Sequence, residues 1–327
     1  MAAITESRTW ESWLSTTTDN YRGILSDNVF DVFPFLSWLN GKLGIALRGS
    51  TIKRMEEDGN RITEQLLLGK NTAAGSYAGA EQLDTTLQDG ISQASYNWKQ
   101  YSVPVGIEGL QQRTNRSEAR IINLLEAKLK QAEESLRDVM NADAFSDGTG
   151  NSGKVMTGLQ ALVSATSTVG GVNPTSNPRW ASTVTTGGSF TSQGLSDMRT
   201  TYNTVSFGND RPDFIISTQA IFEFYEDNLQ PQERYTNTKV ANSGFDNLTF
   251  KSIPMVFDRD CPSGNMYMLN SSAMSLVVHP DADFMNSGFQ SLLSTLGQDV
   301  TSSMIIWQGN ITVNNRRKHA VINSITA

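Results

Sequence analysis

Three groups of residues in this chain of 327 have types and spacings that chemistry can use. The first is Gly148-Thr149-Gly150-Asn151-Ser152-Gly153-Lys154, which satisfies G-x-G-x-x-G and the first seven positions of a phosphate loop, G-x-x-x-x-G-K. Both motifs hold phosphate on free backbone N–H groups, where a strand delivers glycines to the start of a helix. Here the glycines follow the longest helical pattern in the chain, and Val155 offers no hydroxyl to a Mg²⁺ ion. The segment reads as a turn. The second group is Cys261 with His279 and His319, the only cysteine and the only histidines. Zinc needs three or four ligands at characteristic spacings, and a Cys261–His279 nucleophile pair has only its residue types to recommend it. Asp258, Asp260, Asp281 and Asp283 offer oxygens, but not at the spacing of a calcium loop. The third group, Arg316-Arg317-Lys318-His319, is the densest basic cluster; lying between strand-like segments, it reads as a solvated strand end. Neither catalysis nor a cofactor is expected from these residues.

Composition excludes further classes. The net charge is -7, and charged residues make up only 18% of the chain, against 35 Ser, 31 Thr and 25 Asn. Without a run of Lys and Arg, the chain lacks the footprint of a protein that coats nucleic acid through its phosphates. One cysteine forms no internal disulfide, which fits a reducing compartment. The N-terminus shows no basic start followed by an apolar stretch, so no signal peptide is expected. No apolar run approaches the ~18 residues of a membrane span. A hydrophobic fraction of 38% supports a sizeable core, and the length suggests about two domains.

The elements that would position these residues form an α+β pattern without regular βαβ alternation. Residues 1–50 are dense in aromatics, among them Trp10, Trp13, Phe35 and Trp38. Short helices are predicted near Ser26-Asp27 and from Pro34, whose fixed φ suits a first turn. Such a terminus suits an arm packed on neighbouring subunits. Residues 51–57 and 61–68 flank Asp58-Gly59, a hairpin dipeptide. Residues 69–91 are small, glycine-rich and aperiodic, and long loops of this kind are usually functional. Tyr101, Val103, Val105 and Ile107 alternate with polar or small residues, predicting a half-buried strand that Pro104 places at an edge or bulge. Over 116–145, Ile121, Leu125, Leu129, Ala132, Leu136 and Val139 recur at helical steps, broadened by Ile122 and Met140. Helices are further predicted at 157–165, 193–206 and after Thr218, Pro212-Asp213 leads into the apolar run Phe214-Ile215-Ile216, and strands are predicted at 247–257, 266–269, 274–279, 303–313 and 319–325.

The order of these parts resembles the major capsid proteins of tailed bacteriophages, with the Hong Kong 97-type capsid fold. The resemblance rests on VFPFLSWLNGK in the arm, LLLGKN, SYAG and SYNWKQYSVPV in the hairpin, and NLLEAKLKQAEESL in the long helix. It continues through FSDGTGNSGKVMTGLQAL, RPDFIISTQAIFEFYE and SIPMVFDRDCPSGNMYMLNSSAMSLVVHP. It implies an N-terminal arm (1–50), an extended β-hairpin loop (51–108), a peripheral domain (109–190 plus 276–327) carrying a spine helix at 116–145, and an axial domain (191–275). It also implies a structural protein that self-assembles into hexamers and pentamers of an icosahedral virion shell around double-stranded DNA, built in the host cytoplasm. Other copies of the chain, a separate scaffolding protein, a portal and decoration proteins would be its partners. Where many relatives have glycine before the Ile-Pro step, this chain has Ser252. Some relatives carry a long scaffolding segment at the N-terminus, whereas this chain starts almost directly with the arm. Interface anchors expected on this reading are Trp10, Trp13, Phe35, Trp38, Lys70, Tyr77 and Trp98, since aromatics are enriched at interface centres. Ordinary packing within the chain is the competing expectation for each aromatic. The alternative function, a tail or surface adhesin suggested by the Ser/Thr/Asn richness, usually brings many short, evenly spaced strands, which the long helix fits poorly.

Overall fold

A computed structural model describes residues 33–39, 53–56, 59–114, 118–208, 210–229, 248–293 and 297–327. The expected helix near Ser26-Asp27, together with Trp10 and Trp13, lies outside these residues. In chain order come α1 (Pro34–Leu39), β1 (Lys53–Glu56), β2 (Ile62–Leu67), β3 (Ile91–Tyr96), β4 (Lys99–Glu108), α2 (Gly109–Thr114) and α3 (Glu118–Ala144). Next are α4 (Leu159–Leu162), β5 (Thr183–Thr186), α5 (Leu195–Thr204), β6 (Phe214–Ser217), α6 (Gln219–Leu229), β7 (Leu248–Phe250), β8 (Ile253–Phe257) and β9 (Met266–Leu269). The chain closes with β10 (Met274–Val278), β11 (Met285–Asn286), β12 (Gln290–Ser291), β13 (Val300–Val313) and β14 (Ala320–Asn323). The architecture is α+β, as expected.

Two compact units emerge. The first contains residues 101–139 and 281–307. Here β11 and β12 run antiparallel to the first half of β13, with Met285 opposite Ile306 and Gln290 opposite Ser302. Tyr101 packs on Trp307 at 5.9 Å between ring centres. The Gly109 N–H donates to the Asp299 carbonyl at 2.8 Å, and Arg113 pairs with the Asp299 side chain. Along β4, Tyr101, Val105 and Ile107 are buried while Ser102, Pro104, Gly106 and Glu108 are exposed, the alternation read from the sequence. The long helix is present, with Ala132 and Leu136 buried and Arg137 bonded to Glu133 and Glu134 on its wet face. Val139 departs from the expected stripe, being 51% exposed.

The second unit contains residues 33–100, 140–280 and 308–327. Its six-stranded sheet has the order β5-β14-β9-β6-β8-β7, with β6 parallel to β8 and antiparallel to β9. A core of Phe190, Met198, Tyr202, Ile221, Phe222 and Tyr225 packs α5 and α6 on this sheet. A second group of strands joins β1 parallel to β10 and β10 antiparallel to the second half of β13. The Asp58-Gly59 hairpin is therefore corrected: β1 does not pair with β2. Lys53 lies opposite Ser275, whereas β2 pairs with β3, Ile62 opposite Tyr96. Gly59 adopts φ +106°, a left-handed conformation that suits glycine, but each strand finds a more distant partner.

Phe35 and Trp38 show the packing within the chain that was the competing expectation for them. Trp38 stacks on Phe214 of β6 at 4.5 Å, and Phe35 meets Phe145 at 4.9 Å. Both are buried within their own chain. Nearby, the Phe35 N–H donates to Asp258 Oδ2 at 3.3 Å, while Asn141 Nδ2 donates to Asp258 Oδ1 at 3.0 Å and to Asp260 Oδ2 at 2.8 Å. Burial raises the Asp258 pKa, and these donors oppose the rise only in part.

Candidate functional site

The residues that suggested catalysis serve other ends. Gly148 and Gly153 adopt φ +79° and +76°, and Asn151 and Ser152 are left-handed between them, a conformation that opens no helix. Asp147 Oδ1 accepts from the Thr149 N–H at 2.9 Å and its hydroxyl at 2.7 Å, and Lys99 Nζ donates to the Gly153 carbonyl. The segment is a side-chain-tied turn. Cys261 is buried, with its thiol pushed well above the ordinary range by desolvation, the opposite of an activated thiolate. His279 meets the edge of Trp98 at 5.6 Å.

The basic cluster is not a solvated strand end. Arg316 is fully buried and donates to four carbonyls, of Leu162 (2.8 Å), Ala161 (2.9 Å), Ser164 (2.8 Å) and Ser167 (2.8 Å). Its planar fork thereby fixes the loop after α4. Its guanidinium also sits 5.8 Å from the Trp180 ring centre, and desolvation lowers its pKa to about 10. His319 is buried as well: Nδ1 accepts from the Asn270 N–H at 3.2 Å, and burial lowers its pKa to about 4. Lys318 pairs with Asp210, and Arg317 lies over the Phe207 ring at 4.8 Å. The signal that distinguishes these roles lies in carbonyls about 150 residues earlier, beyond any local motif.

The remaining candidate is the loop between β2 and β3. Two glycines close its base: the Leu68 and Gly69 N–H groups both donate to the Gly90 carbonyl, at 2.9 and 3.1 Å. A Cβ on Gly69 would stand 2.7 Å from the Gly90 Cα, so only glycine permits this approach. Beyond the neck, short polar side chains bind their own backbone, Asn71 to Ala73 (2.9 Å) and Asp84 to Thr86 (2.9 Å), and Thr72 reaches Gln88 at 3.1 Å. These bonds shape the tip without a hydrophobic interior. Its apolar residues point outward instead: Leu87 is 98% exposed, Tyr77 67% and Leu83 56%. Residues 71–90 carry Glu81, Asp84 and Asp89 and no Lys or Arg; Lys70, exposed, stands just outside. At the foot of the hairpin, the Ser95 N–H bonds the Gly170 carbonyl at 2.9 Å, and Tyr96 Oη donates to the Val313 carbonyl at 3.0 Å. Trp98, half-buried, donates from Nε1 to the Gly59 carbonyl at 2.8 Å. The structure brings Lys70 and Tyr77 onto one exposed loop, with Trp98 near its root, and separates them from Phe35 and Trp38.

The capsid asymmetric unit of cyanophage A-1(L) aligns over 95% of this chain and 100% of its own, at 17% identity and TM-score 0.61. The capsid of a native GTA particle aligns over 93% and 95%, at 11% identity and TM-score 0.60. A chain of Mycobacterium phage Bobi aligns over 95% and 98%, at 10% identity and TM-score 0.55. At such identities the likeness is one of fold. No curated protein sequence matches the chain. A family model, that of the SU10 major capsid protein, matches residues 78–326, from within the loop tip almost to the C-terminus. That match spans most of the chain, which therefore belongs to the SU10 major capsid protein family and is a structural protein of an icosahedral phage shell.

Proposed function

We propose that copies of this chain join into hexamers and pentamers, each subunit laying its β2–β3 loop on a neighbour, to form a bacteriophage head around double-stranded DNA. The observation that carries the reading is the loop itself, an excursion closed at its base that exposes Leu83, Leu87 and Tyr77 and has no core of its own. A fully buried side chain of this kind stabilises by roughly 1.5–3 kcal/mol, so three leave several kcal/mol to be gained on contact. Lys70, Tyr77 and Trp98 remain as interface residues on this reading. Residues 109–190 with 276–327 would form the peripheral domain and 191–275 the axial domain, meeting its copies around the symmetry axes. The acidic balance suits DNA held without sequence-specific contacts, and a separate scaffolding protein, a portal and decoration proteins complete the set of partners. Assembly would take place in the host cytoplasm. The adhesin alternative is not favoured, because the family match is to a shell protein.

Deletion of residues 70–89 tests the proposal. Gly69 and Gly90 already touch, so joining them leaves the strand pair intact. The expected outcome is a folded subunit that sediments as unassembled protein, while the full chain sediments as capsomers or shells. Unchanged assembly of the deletion variant would remove the loop from the mechanism, and a strictly monomeric full chain under assembly conditions would remove the shell.

A further inference from the structure

We propose that a cleft of about 490 Å³ on the six-stranded sheet unit, lined by Tyr202, Asn203, Ser206, Gly208, Arg211 and Lys251, is an anion site that takes a phosphate group. In a chain of net charge -7 it gathers cations. Lys251 lies at the turn between β7 and β8 with its Nζ 4.3 Å from the Tyr202 ring centre and 2.8 Å from Asn203 Oδ1. Arg211 enters from the loop after α5, its Nε donating to the Gly208 carbonyl at 3.1 Å. Arg199 stands one helical turn before Asn203 on α5, within hydrogen-bond reach of Ser196 at 3.5 Å. Among the described residues, none of the three cations forms an ion pair with a carboxylate. The nearest acid in sequence, Asp210, is already held by Lys318, by Asn270 Nδ2 at 2.7 Å and by the Ser272 hydroxyl at 3.3 Å. Desolvation, and then the charges of Arg199 and Arg211, lower the Lys251 pKa.

Backbone strain supports the same reading. Lys251 adopts φ +49° and Ser252 φ +66° in a two-residue turn where glycine or asparagine is the unstrained choice. The turn holds the Lys251 side chain over Tyr202 and Asn203 at the cost of that strain. The ligand class follows from charge and shape. One carboxylate would neutralise a single cation and leave the other. A phosphate dianion carries two charges and several acceptor oxygens to the Arg211 guanidinium and the Lys251 ammonium that line the cleft. Free phosphate and the backbone phosphates of nucleic acid share this chemistry.

The test uses the full-length chain, unassembled and in assembled shells. Inorganic phosphate is titrated against chloride at matched ionic strength, followed by a short oligothymidylate, with calorimetry and the melting midpoint as readouts. Phosphate is expected to bind and to raise the midpoint above the chloride control. Lys251→Met and Arg211→Gln should each weaken binding about tenfold or more, the loss of one charge-assisted hydrogen bond. Lys251→Gly, which suits the left-handed turn, should lose binding without losing stability and so separates the site from the fold. Oligothymidylate binding that the same variants abolish identifies nucleic acid as the phosphate source; phosphate binding alone identifies the free ion. Phosphate no better than chloride, affinity unchanged in all three variants, or binding of poly-glutamate in preference to phosphate would overturn the proposal.

Discussion

Arg316→Lys is the sharpest test of how the fold is held. The guanidinium of Arg316 meets four carbonyls of residues 161–167 from full burial. Lysine keeps the charge, and with it the desolvation cost, so that term largely cancels in the comparison. What changes is the geometry: a point ammonium on a flexible stem cannot reach four carbonyls arranged around a planar fork. Losing at least two charge-assisted bonds at about 1.5–3 kcal/mol each predicts a destabilisation of roughly 3–6 kcal/mol. Urea unfolding of the unassembled chain measures the change, and fluorescence of Trp180, 5.8 Å from the guanidinium carbon, reports it locally. A solvated strand end would respond by within about 0.5 kcal/mol, as surface sites do. A loss below about 1 kcal/mol would therefore refute the structural role assigned to Arg316.

Asp213 and His319 titrate in opposition. Burial raises Asp213 to about 6, so the native state takes a proton before the unfolded chain does, and stability is gained as pH falls from about 6 toward 3.8. Burial lowers His319 to about 4, so the unfolded chain is protonated first, and stability is lost from pH 6.5 down to about 4. Each contribution is on the order of 3 kcal/mol, so the two nearly cancel; Asp213→Asn should expose the histidine loss in denaturant midpoints taken from pH 7 to 4, and identical profiles for parent and variant would contradict this. Ser252→Gly should relieve the φ +66° turn position, a gain of about 1–2 kcal/mol, partly offset by the extra freedom of glycine in the unfolded chain. A melting midpoint raised by roughly 1–3 °C is expected, and a lowered one would count against the turn assignment. Gly170→Ala should cost about 2 kcal/mol or more, because its Cβ would stand 2.5 Å from the Ala94 Cβ at φ +63°. Gly171→Ala, at φ +79° with open space around it, should cost about half as much in the same unfolding assay; equal losses would show that the contact with Ala94 is not what matters.

The sequence made visible what depends on local periodicity. The spine helix and the alternation of Tyr101 to Ile107 follow from spacing alone, because one face of each meets a core. The Asp58-Gly59 dipeptide signals a turn in the sequence, but a turn dipeptide cannot name the partner strand. Only the pairing of Lys53 with Ser275 reveals that β1 belongs elsewhere. Phe35 and Trp38 show the same limit: a dense run of aromatics gives one signal for an intersubunit anchor and for a residue stacked on Phe214 in its own chain. Arg316 and His319 looked hydrophilic because their acceptors and donors lie in distant loops. The exposed β2–β3 tip, by contrast, was readable as lacking a core, since glycine, small residues and scattered leucines without period build none. Its closure at Gly69 and Gly90 depends on two backbones meeting, which composition does not encode.

That closure sets how much freedom the loop has to change. With its ends pinned, the stretch from residue 70 to 89 is a cassette whose contents are insulated from the fold beneath it. Lengthening a closed loop is inexpensive, about 0.6 kcal/mol for each doubling, and Gly79, at φ +60° with open space around it, marks a natural point of entry. Foreign peptides grafted there would be carried by the subunit without unfolding it.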